Sequence, residues 1–495
     1  MEQETTTGID AAINAAVEPI AAAVSSFIFY SVPVAGTELP LIVAWLILAA
    51  AFFTLYFGFI NIRGFVHAVR LVKGDYTDPR QTGEVSHFQA LATAVSGTVG
   101  IGNIGGVAII ITLGGPGATF WLMLAGFLGM STKLVECIAG VKYRRINEDG
   151  TVSGGPMYYI EQVMRARGLG LLAKPMGGFY ALAIVIGCLG IGNMFQSNQA
   201  FEQFVYITGG DDSPFRSAGW AFGLIIATLV GVVIIGGLKS IARVTSRLVP
   251  FMTLAYLLFS ITIILLNAER LPWAVSAIFS EAFQPQGMAG GFVGVMILGF
   301  QRAVFSNEAG IGSAAIAHSA VRTAEPATEG YVGLLEPFID TVVVCTLTAL
   351  VILTTIYEPT MGDSGVQGVE LTSRAFASTL PWSTVPLSFI AVLFAFSTMI
   401  AWAYYGLKGW TYLVGEGKLK EAVFKFVFCL FGILGCTVQL EAVLSFSDAL
   451  VFLISLPNII GLYLLAPVVK EELQAYWERF AERQQARARD GQSEG

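Results

Sequence analysis

Charged residues are scarce in this chain. Asp, Glu, Lys and Arg make up 13% of its 495 residues, whereas soluble proteins carry about 25%. Hydrophobic residues make up 55%, and the mean hydropathy is +0.69. Charge-poor runs of about 20 residues, long enough to cross about 30 Å of hydrocarbon, recur along nearly the whole length. The composition argues against a soluble protein and predicts an integral membrane protein.

Residue types typical of metal centres and active sites are few as well. The chain has three histidines and five cysteines. Every cysteine falls within an apolar segment without metal-ligand spacing, which favours packed thiols. No nucleotide-binding fingerprint or nucleophile triad accompanies a soluble domain. The sequence therefore predicts that the protein is not an enzyme and has no cofactor.

Eleven apolar segments are predicted to cross the membrane as helices. The first 39 residues contain no Lys or Arg and so lack the basic region of a signal peptide. Within them, the apolar residues 11–36 are predicted to form an interfacial helix. The predicted spans cover roughly residues 40–62, 87–113, 115–140, 177–206, 219–238, 245–268, 290–313, 331–356, 384–407, 421–437 and 441–468.

Lys and Arg are distributed unevenly between the two sides of this arrangement. Of the 28 in the chain, 22 fall in the loops on one side or in the C-terminal tail, and three, Arg216, Arg270 and Arg374, fall on the other side. Cytoplasmic loops are enriched in basic residues, so this count predicts an N-terminus outside the cell and a cytoplasmic C-terminus.

The spans divide into one N-terminal helix and two sets of five. An odd number of helices per set makes the two sets enter the membrane in opposite directions, as in an inverted-topology repeat. The predicted fold is all-α, with eleven transmembrane helices: one N-terminal helix plus a five-plus-five inverted repeat with two discontinuous helices. The predicted segments are an extracytoplasmic stretch (1–39), the extra helix (40–62), the first repeat (87–268), the second repeat (290–468) and a cytoplasmic tail (469–495).

Each set opens with a helix that glycines interrupt. Gly100-Ile101-Gly102 and Gly310-Ile311-Gly312 lie within apolar segments, although glycine inside a helix costs about 1 kcal/mol relative to alanine. Paired breaks in corresponding helices of two halves indicate a transporter binding site near the middle of the bilayer. Unwinding frees carbonyls that can coordinate a cation and N–H groups that can bind a carboxylate. The alternative is close helix packing through small residues.

Polar residues next to the second break are candidate ligands. Phe305, Ser306 and Asn307 precede it and are predicted to contact a substrate. Glu308 is expected either to hold the unwound segment or to form a structural ion pair with Arg302, because charges at membrane depth need partners.

A third polar group lies in the span at 177–206. Asn193, Gln196 and Ser197 are spaced i, i+3 and i+4, so they are predicted to share one helix face, either toward a cavity or in hydrogen bonds between helices. In the span at 115–140, Lys133 and Glu136 are expected to pair with each other.

A fourth group lies in the span at 384–407. The adjacent hydroxyls of Ser397 and Thr398 are hard oxygen donors suited to a sodium ion, unless they bond back to the preceding turn. Trp402 follows one turn later and is expected either to cap a small pocket or to pack in the core.

Three motifs in the chain are shared with a known family. They are Ser306-Asn307-Glu308-Ala309-Gly310-Ile311-Gly312-Ser313, Gly114-Gly115-Pro116-Gly117 followed by Phe120-Trp121, and Ser153-Gly154-Gly155-Pro156-Met157-Tyr158. In these motifs the chain resembles the alanine or glycine:cation symporters of the amino acid–polyamine–cation superfamily. The resemblance implies the five-plus-five inverted repeat, sodium as coupling ion and small neutral amino acids as substrates.

The resemblance also implies roles for individual residues. The substrate carboxylate would meet the backbone of Ile101 and Gly102, and the ammonium group would meet the carbonyl of Phe305. Many members of the family have threonine where this chain has Ile101, so a hydroxyl contact is lost here. The implied cation ligands are the carbonyls of Ser96 and Val99 and the hydroxyls of Ser397 and Thr398; the candidate substrate-binding residues are Thr98, Ile101, Gly102, Asn193, Gln196, Phe305, Ser306, Asn307, Ile311 and Trp402.

The function predicted from the sequence is secondary active transport. The chain is expected to carry alanine or glycine into the cell with sodium by alternating access, in the plasma (inner) membrane of a prokaryote. One alternative is proton coupling through Glu308 or Asp340. The other is an amino acid sensor that binds without transporting. The expected partners are a small neutral amino acid, Na⁺ and the lipid bilayer, without nucleic acid.

Overall fold

The computed structural model describes residues 25–34, 37–76, 80–283, 291–361, 368–438 and 440–493, together with Pro19 and Ala23. Helices make up 81% of the structure. The predicted interfacial helix at 11–36 and the C-terminal end of the tail lie partly outside the described residues.

The helices follow one another along nearly the whole described chain. Two stretches, Gly190–Met194 and Phe338–Cys345, are π-helical and continue into their neighbours. The α-helices are α1 (Leu41–Tyr56), α2 (Ile60–Arg63), α3 (Phe65–Lys73), α4 (His87–Thr98), α5 (Gly105–Gly114), α6 (Gly117–Lys142), α7 (Pro156–Ala166), α8 (Gly170–Leu189), α9 (Phe195–Ile207), α10 (Gly219–Ile235), α11 (Gly237–Leu266), α12 (Leu271–Glu281), α13 (Gly291–Asn307), α14 (Ser313–His318), α15 (Pro326–Gly333), α16 (Leu335–Pro337), α17 (Thr346–Thr355), α18 (Gly368–Thr379), α19 (Thr384–Val414), α20 (Lys418–Gly435) and α21 (Leu440–Ser493).

Two short antiparallel hairpins interrupt the helices. β1 (Ser31–Val34) pairs with β2 (Thr37–Pro40), and β3 (Arg145–Ile146) pairs with β4 (Val152–Ser153). Strands of two to four residues are too short to show a recognisable alternation in sequence. The all-α prediction therefore omitted them, and β1 occupies residues that were predicted to be interfacial helix.

Several helical segments are long and apolar enough to cross a membrane. Counting α4 and α5 as one bent span gives seven among the described residues. The other six are Gly117–Lys142, Gly170–Ile207, Gly237–Leu266, Pro326–Thr355, Pro381–Val414 and Ser447–Gln485.

The first broken helix consists of α4 and α5, which are bent by 59°. α4 begins at a capping box formed by Ser86 and Gln89 and ends at Thr98. Val99 then turns to an extended conformation, and Gly100 continues it with φ −137° and ψ −158°. A short 3₁₀ turn, Ile101–Asn103, leads into α5. The unwound segment therefore coincides with the glycines that predicted it.

The second broken helix consists of α13 and α14. After Asn307 the backbone enters the left-handed region at Glu308 (φ 58°), Gly310 (φ 95°) and Gly312 (φ 86°). Glycine adopts this region at little cost, whereas other residues seldom do. Both Gly-Ile-Gly sequences thus lie at interruptions of helices.

α19 and α6 are the long helices that pack against the two broken helices. α19 packs against α4, α8 and α9, and α6 packs against α13, α14 and α15. Nearly all side chains between these elements are buried. The two interruptions lie close together inside the protein, since Asn103 Nδ2 donates to Ser306 Oγ at 3.1 Å.

The buried charges are paired differently from the expectation. Lys133 pairs with Glu336 at 2.9 Å rather than with Glu136, and Arg302 pairs with Asp448 at 2.7 Å rather than with Glu308. Spacing along one helix indicates which side chains are neighbours on that helix. In a buried region, however, charged side chains also meet partners on the helices packed against them, and here they pair with those partners. Glu136 and Glu308 are consequently free of these ion pairs and can accept hydrogen bonds from residues of the second break.

Candidate functional site

Two N–H groups in the unwound part of the first broken helix donate to side chains. Gly100 N donates to Asn103 Oδ1 at 2.8 Å, and Ile101 N donates to Gln196 Oε1 at 3.3 Å. A Cβ on Gly100 would lie 2.6 Å from Thr398 Oγ1, closer than such atoms approach. A Cβ on Gly102 would meet the Phe305 ring at an ordinary 3.6 Å. Gly100 therefore allows α19 to approach the backbone closely.

Oxygen atoms gather where α4 meets α19. Ser96 Oγ donates to the Ser397 carbonyl at 2.7 Å, and Thr398 Oγ1 donates to the Ser96 carbonyl at 3.0 Å. Ser397 Oγ bonds back to the carbonyl of Phe394 at 2.9 Å. Three of the four predicted cation ligands are thus brought together, and Val99 follows Ser96 at the start of the unwound segment.

Asp340 connects the two broken helices. Asn103 Nδ2 donates to Asp340 Oδ1 at 2.5 Å, and Ser306 Oγ donates to Asp340 Oδ2 at 2.7 Å. Thr341 Oγ1 donates to the same Oδ2 at 2.6 Å. Asn307 Nδ2 joins this network through Thr341 Oγ1 at 3.0 Å. One buried carboxylate therefore contacts residues that flank both interruptions.

Trp402 forms a second connection. Its Nε1 lies 3.3 Å from the Gly97 carbonyl in the first broken helix and 2.9 Å from Glu308 Oε1 in the second. The other oxygen of Glu308 accepts a hydrogen bond from Ser313 Oγ. The indole of Trp402 is fully buried, and its two contacts link the broken helices to each other.

The remaining backbone groups of the second break are satisfied by α6, α8 and α21. Gly310 N donates to Glu136 Oε1 at 2.9 Å, and the Gly310 carbonyl accepts from Asn458 Nδ2 at 2.8 Å. Tyr180 Oη donates to the carbonyl of Ile311 at 3.0 Å. The break is therefore embedded in protein.

The side chain of Phe305 closes the region between the breaks. Its ring packs edge-on against Phe195 with centroids 5.2 Å apart, and the guanidinium of Arg302 lies 5.5 Å from its centroid. Together with Ile101 and Gly102, this aromatic pair forms a buried apolar surface beside the N–H groups of the first break.

The other predicted residues lie in different surroundings. Gln196 faces the first break, whereas Asn193 Nδ2 donates to the carbonyl of Phe428 at 2.5 Å, and Ser197 Oγ bonds back to the carbonyl of Met194 at 3.2 Å. Thr98 Oγ1 also bonds back to its own helix. Asn193, Gln196 and Ser197 were predicted to share one helix face. In the structure, Gln196 has different hydrogen-bond partners from Asn193 and Ser197 and lies toward the first break.

Sequence reasoning gave too little weight to several residues. Asp340 was considered only as an alternative for proton coupling, Glu136 was paired with Lys133, and Asn458 was not considered. All three are buried polar groups at membrane depth, and such groups are costly unless they have a partner or a function. A search of every predicted span for polar residues that need a partner or a function would have identified Asp340, Glu136 and Asn458.

The predicted inner ends of both broken helices meet at one carboxylate. His87, the first residue of α4, donates from Nδ1 to Glu329 Oε1. His318, the last residue of α14, donates from Nδ1 to Glu329 Oε2 at 2.5 Å. All three side chains are buried. We call this group the His–Glu–His clamp.

The profile of the sodium:alanine symporter family matches residues 24–490. The chain belongs to this family. It is 37% identical over 440 residues to the sodium/alanine symporter AgcS of Methanococcus maripaludis, a match that covers 89% of this chain and 94% of AgcS. It is 30% identical to the probable sodium/glutamine symporter GlnT of Bacillus subtilis, a match that covers 88% of this chain and 87% of GlnT.

A solved structure has a related fold. MhsT in complex with L-phenylalanine superimposes with a TM-score of 0.55 over 80% of this chain and 99% of MhsT, at 15% identity. Membership in the family, together with the apolar helices, identifies the chain as a multi-pass membrane protein and a cation-coupled amino acid symporter rather than an enzyme.

The first prediction concerns the close approach at Gly100. We expect Gly100→Ala to lower sodium-dependent amino acid uptake at least about tenfold, because overpacking costs about 1–3 kcal/mol and here displaces Thr398. Gly106→Ala is the matched control, since a Cβ there meets nothing within 4 Å. Uptake by purified protein in proteoliposomes measures both variants. Equal activity of the two would contradict the proposed importance of the contact.

Proposed function

We propose that the protein transports a small neutral amino acid, alanine or glycine, into the cell together with sodium. The observation that carries the proposal is that the two broken helices meet at buried polar contacts, with unwound backbone, hydroxyls and carbonyls on one side and a buried apolar surface on the other. Such an arrangement suits a ligand that has both charges and a very small side chain.

The cation is assigned to the meeting point of α4 and α19. Its ligands would be the carbonyls of Ser96 and Val99 and the hydroxyls of Ser397 and Thr398, all hard oxygen donors. The 3.0 Å contact between Thr398 and the Ser96 carbonyl supports this assignment. A cation entering here would replace that hydrogen bond with two oxygen contacts.

The substrate carboxylate is assigned to the N–H groups at the first break. At present Ile101 N donates to Gln196 Oε1 across a long 3.3 Å, and a carboxylate would be a stronger acceptor at that position. The ammonium group would lie toward the carbonyl of Phe305. The remaining substrate-binding residues of the proposal are Gly102, Ser306, Asn307, Ile311 and Trp402. The side chains of Asn193 and Thr98, which were also predicted to bind substrate, are engaged with the Phe428 carbonyl and with α4.

The selection of small substrates follows from the packing of Phe305. Its ring already lies 3.6 Å from the position of a Cβ on Gly102. A larger substrate side chain would therefore require Phe305, Phe195 or Ile101 to move. We assign the preference for alanine and glycine to this aromatic pair and to Ile101.

The proposed membrane arrangement has eleven spans, with the N-terminus outside. Four further apolar helices, α1, α10, α13 and α20, coincide with predicted spans and would complete the eleven. The residues 87–268 and 290–468 would then form the inverted repeats, flanked by the extracytoplasmic residues 1–39, the extra helix at 40–62 and the cytoplasmic tail at 469–495. The opposed positions of the two broken helices support this arrangement.

Transport would proceed by alternating access around the broken helices. The predicted site residues are all buried, which is consistent with a closed conformation. The His–Glu–His clamp supports an inner gate at the start of α4 and the end of α14. Opening toward the cytoplasm would separate His87 or His318 from Glu329.

The deciding experiment measures radiolabelled alanine and glycine uptake in proteoliposomes. An inward sodium gradient is expected to drive accumulation, whereas an inward proton gradient without sodium is not. Proton-driven accumulation would instead favour coupling through Asp340, the buried carboxylate that contacts both breaks. Saturable binding without accumulation under either gradient would indicate a sensor.

Thr398→Ala tests the cation assignment. The variant loses the proposed contact between the Thr398 hydroxyl oxygen and the sodium ion. This loss is expected to raise the sodium concentration for half-maximal uptake about tenfold, while the competition profile among amino acids stays the same. Thr398→Ser keeps the hydroxyl and is expected to retain most of the sodium affinity. An unchanged sodium dependence in the alanine variant would remove Thr398 from the site.

Glu329→Gln tests the inner gate. The neutral amide weakens both imidazole contacts, so amides of α14 and of the first turns of α4 are expected to exchange hydrogen about tenfold faster in sodium-free buffer. Glu325→Gln is the control, because Glu325 pairs at the surface with Arg479. Identical exchange in the wild type and both variants, measured by mass spectrometry, would argue against the clamp.

A further inference from the structure

A cavity of about 580 Å³ lies away from the transport site, between the end of α1 and the middle of α21. Its walls include Tyr56, Phe57, Tyr331 and Trp477, and two cations, Arg63 and Lys470, also line it. None of these residues contributes to the contacts of the broken helices described above.

The shape of the cavity comes from a turn after α1. Gly58 (φ 60°) and Phe59 (φ 56°) both adopt left-handed conformations, so the chain changes direction abruptly before α2. Arg63 Nη2 then donates to the Phe57 carbonyl at 2.8 Å. The guanidinium is thereby held at the rim of the cavity rather than extending freely into solvent.

Arg63 and Lys470 differ from nearby cations in having no carboxylate partner among the described residues. Arg479 and Arg483 pair with Glu325 at 2.5 and 3.0 Å, and Lys142 pairs with Glu472 at 2.6 Å. The ammonium of Lys470 instead lies 4.8 Å from the centroid of the Tyr56 ring.

The position of the cavity along the membrane normal follows from the sequence. Arg63 is the first basic residue after the predicted span at 40–62, and Lys470 is the first after the span at 441–468. Both therefore fall at the depth of lipid headgroups on the same predicted side. Leu55, Phe59 and Ile62 are 66%, 46% and 61% exposed, as expected beside acyl chains.

We propose that this cavity binds the headgroup of an anionic phospholipid. The phosphodiester would lie between Arg63 and Lys470, with the Tyr56 ring beside the glycerol region and the Trp477 ring, further along α21, beside the polar headgroup. Basic pockets between transmembrane helices on the cytoplasmic side suit such headgroups. The unpaired cations supply the charge complementarity, and the apolar outer surface favours a lipid over a free phosphate ion.

The bound lipid would join the first helix to the C-terminal tail. Trp477 Nε1 already donates to Tyr331 Oη at 2.8 Å on the tail side of the cavity, whereas the α1 side is held through Arg63. A phosphodiester that contacts both cations would add an ionic link between the α1 side and α21, which already touch through Lys470 and Tyr56. Anionic lipid is therefore expected to stabilise the folded protein.

The test uses the full-length protein in detergent micelles. Dioleoylphosphatidylglycerol is added in one arm, dioleoylphosphatidylcholine in a second and inorganic phosphate in a third, and thermal unfolding and native mass spectrometry report on binding. Only phosphatidylglycerol is expected to raise the unfolding temperature. In the double variant Arg63→Gln/Lys470→Gln its affinity is expected to fall about 30-fold, from the loss of two cations at the headgroup.

Lys174→Gln/Lys418→Gln is the matched control, because both lysines are exposed on the same predicted side but do not line the cavity. The control is expected to keep the phosphatidylglycerol effect, and Arg63→Lys/Lys470→Arg is expected to restore most of it. Equal stabilisation by phosphatidylcholine, an undiminished effect in the double variant, or full stabilisation by inorganic phosphate would each overturn the proposal.

Discussion

Unwound backbone inside a membrane must find its hydrogen bonds within the protein, because the surrounding hydrocarbon offers none. The two interrupted helices expose several such groups, and the buried polar residues are arranged around them. Asn103 and Gln196 accept from the first break. Glu136 accepts from Gly310, and Tyr180 donates to Ile311. The glycines permit the breaks, but these partners make them stable.

The same partners couple the two breaks to each other. Asp340 accepts from Asn103 in one broken helix and from Ser306 in the other, and Trp402 contacts Gly97 and Glu308 in the same way. A movement of either unwound segment therefore disturbs hydrogen bonds of both. This coupling is what a symporter requires, because occupation of the proposed cation position on α4 and α19 has to influence the proposed substrate position beside α13.

The glycine breaks were predictable because glycine acts locally, through the conformations that it allows. Ion pairs and hydrogen bonds between side chains of different helices were not predictable from the spacing of residues along one helix. Lys133 and Glu136 are one turn apart, yet they bond to Glu336 and Gly310. Gln196 and Asn193 were assigned to one face on a period of 3.6 residues, but Asn193 lies in the π-helical segment Gly190–Met194 and Gln196 lies in the α-helix that follows it, so the period changes between them. The eleven spans, the orientation and the ligand roles stay predictions.

Glu308 illustrates how a break is held in one conformation. It adopts φ 58° although it is not glycine, at a cost of about 1–2 kcal/mol. Its carboxyl group accepts from Trp402 Nε1 at 2.9 Å and from Ser313 Oγ, and each hydrogen bond contributes about 0.5–1.5 kcal/mol. The two terms are of similar size, so these contacts offset most of the backbone strain. The hydrogen bonds of Gly310 and Ile311 to Glu136, Asn458 and Tyr180 hold the same segment. The conformation of Glu308 therefore depends on side chains from α6, α8, α19 and α21 together.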